Sequence, residues 1–242
     1  MGNSQKHQTT PANWQTERLV PQTVPWFAKR MVREHLDRYE FACKFIKDKV
    51  VIDVACGTGF GSYILAKAGA KQIISIDNDS SAIGTAQIKF KNNKISYIIA
   101  DAQKIPLRDN VADTIISFET IEHLTDPRKF LRELHRLLNP KGTLLISTPN
   151  EETSYGDNPF HIKEYTLIEL KKLLNIFPKS KFYGQRPLNK KIISLYKNMM
   201  NKTDNPIIKT FLRFRPWEQL SIKELKSNED TDYLYFLAVC HK

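Results

Sequence analysis

Val50-Val51-Ile52-Asp53-Val54-Ala55-Cys56-Gly57-Thr58-Gly59-Phe60-Gly61 is the stretch that decides how the rest of the chain is read. Val50 to Val54 is a short β-branched run of the kind that forms a strand buried on both faces. Three closely spaced glycines follow, and Ser62-Tyr63-Ile64-Leu65-Ala66-Lys67-Ala68 then reads as a helix. Strand, glycine turn and helix together bring backbone N–H groups up to a ligand at a helix N-terminus. Glycine is required because a Cβ would obstruct either the tight turn or the approach of the ligand. A glycine turn alone serves several kinds of ligand, so the residues that follow it choose among them.

Working outward, strands and helices alternate. Gln72 to Ile76 predicts a second strand ending in Asp77, followed by a helix from Ser80, with Asp79 or Ser80 as cap, to about Lys91. Ile95 to Ile99 is a third strand and Thr114 to Phe118 a fourth. Pro127 to Leu138 is amphipathic, with Phe130, Leu131, Leu134, Leu137 and Leu138 on one side; Asn139-Pro140-Lys141-Gly142 stops it, and Thr143 to Ser147 is a fifth strand. Repeated βα units with continuous apolar strands imply a parallel sheet covered by helices on both faces.

Upstream, residues 1 to about 25 are polar and punctuated by Pro11, Pro21 and Pro25, which reads as an arm, and Trp26 to Ile46 has helical periodicity. Downstream the rhythm changes. A loop carries Tyr155-Gly156-Asp157-Asn158-Pro159-Phe160-His161, then Glu164-Tyr165 and a helix from Thr166 to Ile176. Ser180 to Tyr183 and Tyr233 to Val239 are the two strands of a final hairpin, and residues 185 to 230 between them read as a helical insertion over the ligand edge. Three units are therefore expected: 1–47 as arm and leading helix, 48–184 with 231–242 as the ligand-binding domain, and 185–230 as a cover for the second substrate.

Composition narrows the class. Of 242 residues, 41% are hydrophobic and 26% charged, enough for a sizeable core. The net charge of +11 invites nucleic acid, but the lysines are scattered rather than gathered into a basic block, so a solvated Lys-rich surface is the reading taken and nucleic acid is not expected as a partner. Cys43, Cys56 and Cys240 are odd in number and far apart, which implies neither a disulfide framework nor a zinc site. Met1-Gly2-Asn3-Ser4-Gln5-Lys6 carries no signal-peptide core and no apolar run approaches bilayer length, so a cytoplasmic protein is expected.

Ligands of open α/β sheets sit outside the carboxyl ends of the strands, and acidic residues recur there. Asp53 lies near the end of the first strand, Asp77 closes the second, Asp101 closes the third beside Ala102, and Glu119 follows the fourth with Glu122 and His123 just beyond. An acid about twenty residues past the glycine turn suits two ribose hydroxyls.

With these residues in view, the chain resembles the class I S-adenosylmethionine-dependent methyltransferases, of the broad type that includes ubiquinone- and biotin-pathway enzymes. The resemblance rests on Val51 to Gly59, Ile76-Asp77, Ala100-Asp101-Ala102, Ile116-Ser117-Phe118-Glu119, His123-Leu124 and Leu137-Leu138-Asn139-Pro140-Lys141-Gly142, and covers about residues 48 to 150. Gly57, Gly59 and Gly61 give the G-x-G-x-G form rather than the dinucleotide G-x-G-x-x-G. It implies a Rossmann-like seven-stranded sheet, five parallel strands then an antiparallel hairpin. Glu17-Arg18-Leu19-Val20-Pro21, Glu34 to Tyr39, and Asn158-Pro159-Phe160-His161 with Glu164-Tyr165 look in addition like methyltransferases found with glycan and lipopolysaccharide assembly enzymes, which implies a sugar or glycan hydroxyl as acceptor.

The resemblance also implies roles. Gly57 and Gly59, with Ala55, let the turn approach the cofactor; Asp53 organises that turn; Asp77 takes the ribose hydroxyls with Asn78 beside the adenine; Asp101 and the Ala102 N–H meet the adenine; the Phe118 carbonyl meets the methionine ammonium; Tyr39 and Arg38 cap the cofactor and hold its carboxylate. A sugar hydroxyl has a high pKa and benefits from a base, for which His123 and then His161 are the candidates, oriented by Glu119 or Glu122. No metal ion is expected, because no His/Asp cluster has metal-site spacing. Lysines and aromatics in the insertion suit peripheral contact with a lipid-linked substrate; oligomeric state is not fixed by sequence. The alternatives are an RNA or protein methyltransferase using the basic charge and a non-catalytic cofactor-binding module. Phe118-Glu119-Thr120-Ile121 is unlike the Asn/Asp-Pro-Pro-Tyr/Phe tetrad of base-amine methylases, and the glycine turn and strand-end acids are intact.

Overall fold

The computed structural model describes residues 29–154, 158–187, 221–228 and 231–242. The arm with Trp14 and Trp26, the 155–157 tip and the centre of the insertion, residues 188–220, lie outside the described residues, so the expectations placed on them are untouched.

The strands are β1 (Val50–Val54), β2 (Gln72–Asp77), β3 (Ile95–Ile99), β4 (Ala112–Phe118), β5 (Leu138–Pro149), β6 (Lys179–Pro187), β7 (Ile222–Glu224) and β8 (Tyr233–His241), in the order β3-β2-β1-β4-β5-β8-β6-β7. β1 to β5 pair in parallel and β8 lies antiparallel between β5 and β6, the architecture expected from the sequence. The sheet has eight strands rather than seven. The extra one, β7, pairs antiparallel with Tyr183–Gln185 of β6, so the insertion gives its first and last residues to the sheet edge and is narrower than 185–230. Asn139 to Gly142 does not separate helix from strand. β5 begins at Leu138, opposite Ala112, and resumes pairing at Thr143 opposite Thr114, so these residues form an irregularity inside one long strand.

The helices are α1 (Lys29–Ala42), α2 (Phe60–Lys67), α3 (Ser80–Lys89), α4 (Pro127–Leu137) and α5 (Leu167–Leu173). Asp79 caps α3, its Oδ1 accepting from the Ser81 and Ala82 amides at 2.6 and 3.4 Å. Asp126 caps α4 through Lys129 N–H at 2.8 Å, with Pro127 opening the helix. One face of the sheet buries Ile52, Val54 and Ile115 against Phe130, Leu134, Leu137, Leu167 and Leu170 of α4 and α5. The other buries Val51, Ile73 and Ile116 against Tyr39, Ala42 and Leu65 of α1 and α2. Each such side chain contributes about 1.5–3 kcal/mol relative to exposure.

A buried polar cluster fastens α1 to the antiparallel half of the sheet. Glu34 accepts from Arg186 Nη1 at 2.9 Å and from the Tyr235 hydroxyl at 3.1 Å, and its carbonyl from Gln185 Nε2 at 2.9 Å. Arg38 donates to Gln185 Oε1 at 2.7 Å and lies over the Tyr235 ring.

Gly61 is tied to the same helix. A Cβ there would sit inside the Tyr39 ring, so the third glycine of the turn makes room for α1 rather than for a ligand. Gly61→Ala should therefore destabilise the protein by about 1–3 kcal/mol through overpacking. Denaturant unfolding checks this, and a change under about 0.5 kcal/mol would mean that the ring has another place to go.

Candidate active site

Three of the parallel strands end in groups fixed by local chemistry. Asp53 stands in β1 on the α1/α2 face, where periodicity asks for an apolar residue, and is fully buried. Its carboxylate accepts from the Ser62 hydroxyl at 2.5 Å and the Tyr39 hydroxyl at 3.1 Å, and Ser75 donates to Ser62 at 2.8 Å. Burial raises its pKa to about 7 despite these bonds, with Asp77 adding to the rise. Tyr39, expected to cap the cofactor, instead has its hydroxyl on Asp53 and its ring packed edge-on against Phe60 and Phe118.

Past β1 the backbone enters the left-handed region at Ala55 (φ 59°), Gly57 (φ 55°) and Gly59 (φ 82°). For Ala55 this is unfavourable, a cost concentrated at functional sites. A Cβ on Gly59 would lie 2.7 Å from the Ala86 Cβ, whereas one on Gly57 would meet no atom within 4 Å. Gly57 thus borders open space that a ligand can fill. Asp77, closing β2, accepts from the Gly57 amide at 2.8 Å and the Asp79 amide at 3.0 Å. It holds the turn's shape, and carboxylate oxygens have lone pairs for more than one donor. Asn78 and Asp101 are exposed, and the Asp101 carboxylate accepts from the Gln103 amide at 2.8 Å beside half-buried Ala102. The Phe118 carbonyl accepts from the Thr120 hydroxyl at 3.2 Å. Arg38 is fully buried, and its Nε and Nη2 have no hydrogen-bond partner, two donors fit for a carboxylate.

Beyond β4, Glu119 also has a positive φ (52°) and accepts from the Ser147 hydroxyl at 2.6 Å. A 3-10 turn follows at Ile121–His123. The loop after β5 is stitched onto it: Ile162 and Lys163 amides donate to the Glu122 carbonyl at 2.8 and 3.1 Å, and His123 Nδ1 lies 2.9 Å from the Phe160 carbonyl. The His123 and His161 rings meet edge to face at 4.9 Å between centroids. The two imidazoles proposed separately from sequence are thus neighbours. Their orienting groups differ from expectation: His161 Nδ1 is 2.6 Å from Glu164 Oε1, and the Phe160 carbonyl serves His123. Glu119 is engaged with Ser147 instead, and Glu122 Oε1 stands 4.0 Å from His123 Nε2. Glu122 is wholly buried, and burial, reinforced by Glu119, pushes its pKa to about 8.

Comparison with known proteins places this geometry. The family model described as "Methyltransferase domain" matches residues 52–146, from β1 into β5. Residues 52–146 are thus similar to a methyltransferase domain. The chain is 34% identical over 154 residues to a probable S-adenosylmethionine-dependent methyltransferase of Mycobacterium tuberculosis, covering 62% of this chain and 53% of that one. It is 30% identical over 143 residues to a ubiquinone biosynthesis O-methyltransferase of Coxiella burnetii, covering 55% of each. The chain spans about half the length of these curated relatives. Among solved structures, an S-adenosylmethionine-dependent methyltransferase from Aquifex aeolicus superposes with a TM-score of 0.52 at 25% identity, over 68% of this chain and 93% of that one. The resemblance to class I methyltransferases stands, and S-adenosylmethionine is the cofactor of such domains. The open cradle at Gly57 and the two unpartnered donors of Arg38 fit a nucleoside bearing an amino-acid tail. Among the described residues no helix is long and apolar enough to cross a membrane.

The raised carboxyl groups carry a sign. Folded Asp53 and Glu122 hold their protons to about pH 7 and 8, whereas the unfolded chain releases them near pH 4. The folded state binds more protons across that interval, so stability falls as pH rises from about 4 to 8 and levels off beyond. Asp53→Asn and Glu122→Gln should each flatten this fall by on the order of 2 kcal/mol, read from denaturation midpoints between pH 5 and 8. An unchanged slope in both variants would show that the carboxyls ionise normally.

Proposed function

We propose that the protein is an S-adenosylmethionine-dependent methyltransferase acting on a hydroxyl of a sugar, glycan or other small molecule. The observation that carries this reading is the pairing of His123 and His161 at the carboxyl end of the sheet, beyond β4, where an acceptor would meet the cofactor. The O-methyltransferase among the relatives supports an oxygen acceptor, and the Asn158-Pro159-Phe160-His161 and Glu164-Tyr165 motifs support a glycan.

In this reading Gly57, Gly59 and Ala55 shape the turn, Asp53 fixes it from within through Ser62 and Tyr39, and Asp77 receives ribose hydroxyls while holding the Gly57 amide. Asn78, Asp101 and Ala102 line the adenine side, the Phe118 carbonyl faces the ammonium, and Arg38 takes the carboxylate with its unpartnered nitrogens. When bound, S-adenosylmethionine supplies a methyl group on a sulfonium, and positioning does most of the remaining work. With its Nδ1–H on Glu164, His161 carries a lone pair on Nε2 that can take a proton from an acceptor hydroxyl displacing the Asn158 amino group. His123 has the same arrangement through the Phe160 carbonyl.

Calorimetry should show S-adenosylmethionine binding to the wild type and a loss of about tenfold or more in Asp77→Ala. In a labelled-methyl screen over nucleotide sugars, lipid-linked glycans and phenols, His161→Ala should lower the transfer rate about 100-fold or more with cofactor affinity unchanged. Equal cofactor affinity for wild type and Asp77→Ala would sink the cofactor assignment; transfer confined to amines would sink the hydroxyl acceptor.

A further inference from the structure

The sequence predicts no metal ion, because no His/Asp cluster has metal-site spacing. The fold nonetheless assembles a cluster: one ligand atom from each of Glu122, His123 and His161 lies within 4.8 Å of the other two. What the surrounding bonds do to those atoms is more informative than the distance.

The Phe160 carbonyl can only accept, so His123 Nδ1, 2.9 Å away, is the protonated nitrogen. His161 Nδ1 faces the Glu164 carboxylate at 2.6 Å and is protonated for the same reason. The tautomer of His161 is fixed from its other side as well. Asn158 Oδ1 accepts from the Phe160 amide at 3.0 Å, which turns the Asn158 amino group toward His161 Nε2 at 2.8 Å, so Nε2 is the acceptor. Both rings thus have Nδ1–H anchored on an oxygen and a lone pair on Nε2. A carbonyl or carboxylate on the remote nitrogen is the arrangement that orients metal-binding histidines. The third group supplies an independent sign: Glu122 is fully buried, its Oε2 accepts from Thr148 at 3.2 Å, and its Oε1 has no hydrogen-bond partner. A buried carboxyl oxygen without a partner is costly to leave so.

We propose that Glu122, His123 and His161 bind one divalent cation of the zinc class through Glu122 Oε1 and the two Nε2 atoms. Two imidazoles and one carboxylate favour late first-row ions over magnesium or calcium. Three protein ligands leave a fourth position for water or an oxygen of the acceptor. Ligand bonds of about 2.0–2.2 Å require the three atoms to draw in from their present spacing. His161 can do so by exchanging its Asn158 contact for the ion. Ligation uses the lone pairs that would otherwise take the acceptor's proton, so the ion replaces the general base. That last consequence rests on the proposed function; binding of the ion does not.

The test is titration of the chelator-stripped full chain with Zn2+ alone by calorimetry and with Co2+ alone by visible absorption. We expect one ion per chain and a Co2+ spectrum of low coordination number. His161→Ala, His123→Ala and Glu122→Gln should each weaken binding tenfold or more. Glu164→Gln, which removes no ligand, should weaken it about 10–100-fold through loss of the anchor on Nδ1. Affinity for S-adenosylmethionine, measured on the same samples, reports whether each variant is folded. No binding by the wild type, or equal affinity in folded wild type and variants, overturns the site. Methyl transfer by metal-free protein would leave the proposed function standing without it, and ion binding without transfer would do the reverse.

Discussion

A carboxylate in the central strand is the constraint around which the ligand edge is built. Asp53 occupies a position that faces the α1/α2 core, where an unpaired charge would cost several kcal/mol. It is accommodated because each element packed over it brings an oxygen: Ser62 from α2, Tyr39 from α1, and Ser75 from β2 through Ser62. The same contacts fix the start of α2 relative to β1, and hence the turn between them. Gly61 follows from this arrangement, since the Tyr39 ring can reach Asp53 only over a residue without a side chain.

The ligand edge is strained as well as polar. Ala55 and Glu119 both carry a positive φ just past neighbouring strands β1 and β4, and each is held by the bonds around it. The Cys56 amide donates to the Ile76 carbonyl at 3.0 Å, and the Glu119 amide to Ser147. The two strand ends are thereby shaped for function at a local cost that the flanking sheet supports. On the far side, the turn at 121–123 and the loop at 158–163 share backbone bonds, so the histidines are set by main chain as much as by their own packing.

Most of the fold could be read from the residues. β1 and β3 fall within the bounds that their β-branched runs predict, and Asp79 caps α3, because strand burial and helix capping are local effects. What escaped was non-local. β7 is three residues long and forms only because β6 offers it an edge. The excursion at Asn139 to Gly142 resembles a helix stop in composition but joins two stretches of one strand. At the site, strand-end acids were visible as residue types, while their partners were not: Gly57 with Asp77, Glu164 with His161, and Tyr39 beneath the turn are matters of three-dimensional reach. The neighbouring glutamates 119 and 122 looked like natural partners for His123 by sequence distance alone. A better signal was the three-residue spacing of His161 and Glu164, which lets a loop histidine fold back on its own carboxylate.

The buried cluster under α1 has a consequence for how the chain assembles. Arg38 meets Gln185 across 147 residues, Glu34 meets Arg186 across 152, and Glu34 meets Tyr235 across 201. β8 lies between β5 and β6, so neither edge of that region is complete until residues 233–241 are in place. These contacts of the first described helix require long loops to close, unlike its packing on β1 and α2. Through Tyr39, the same helix completes the support of Asp53. One helix thus joins residues 233–241 to the floor of the glycine turn, with Glu34 on one side and Tyr39 on the other.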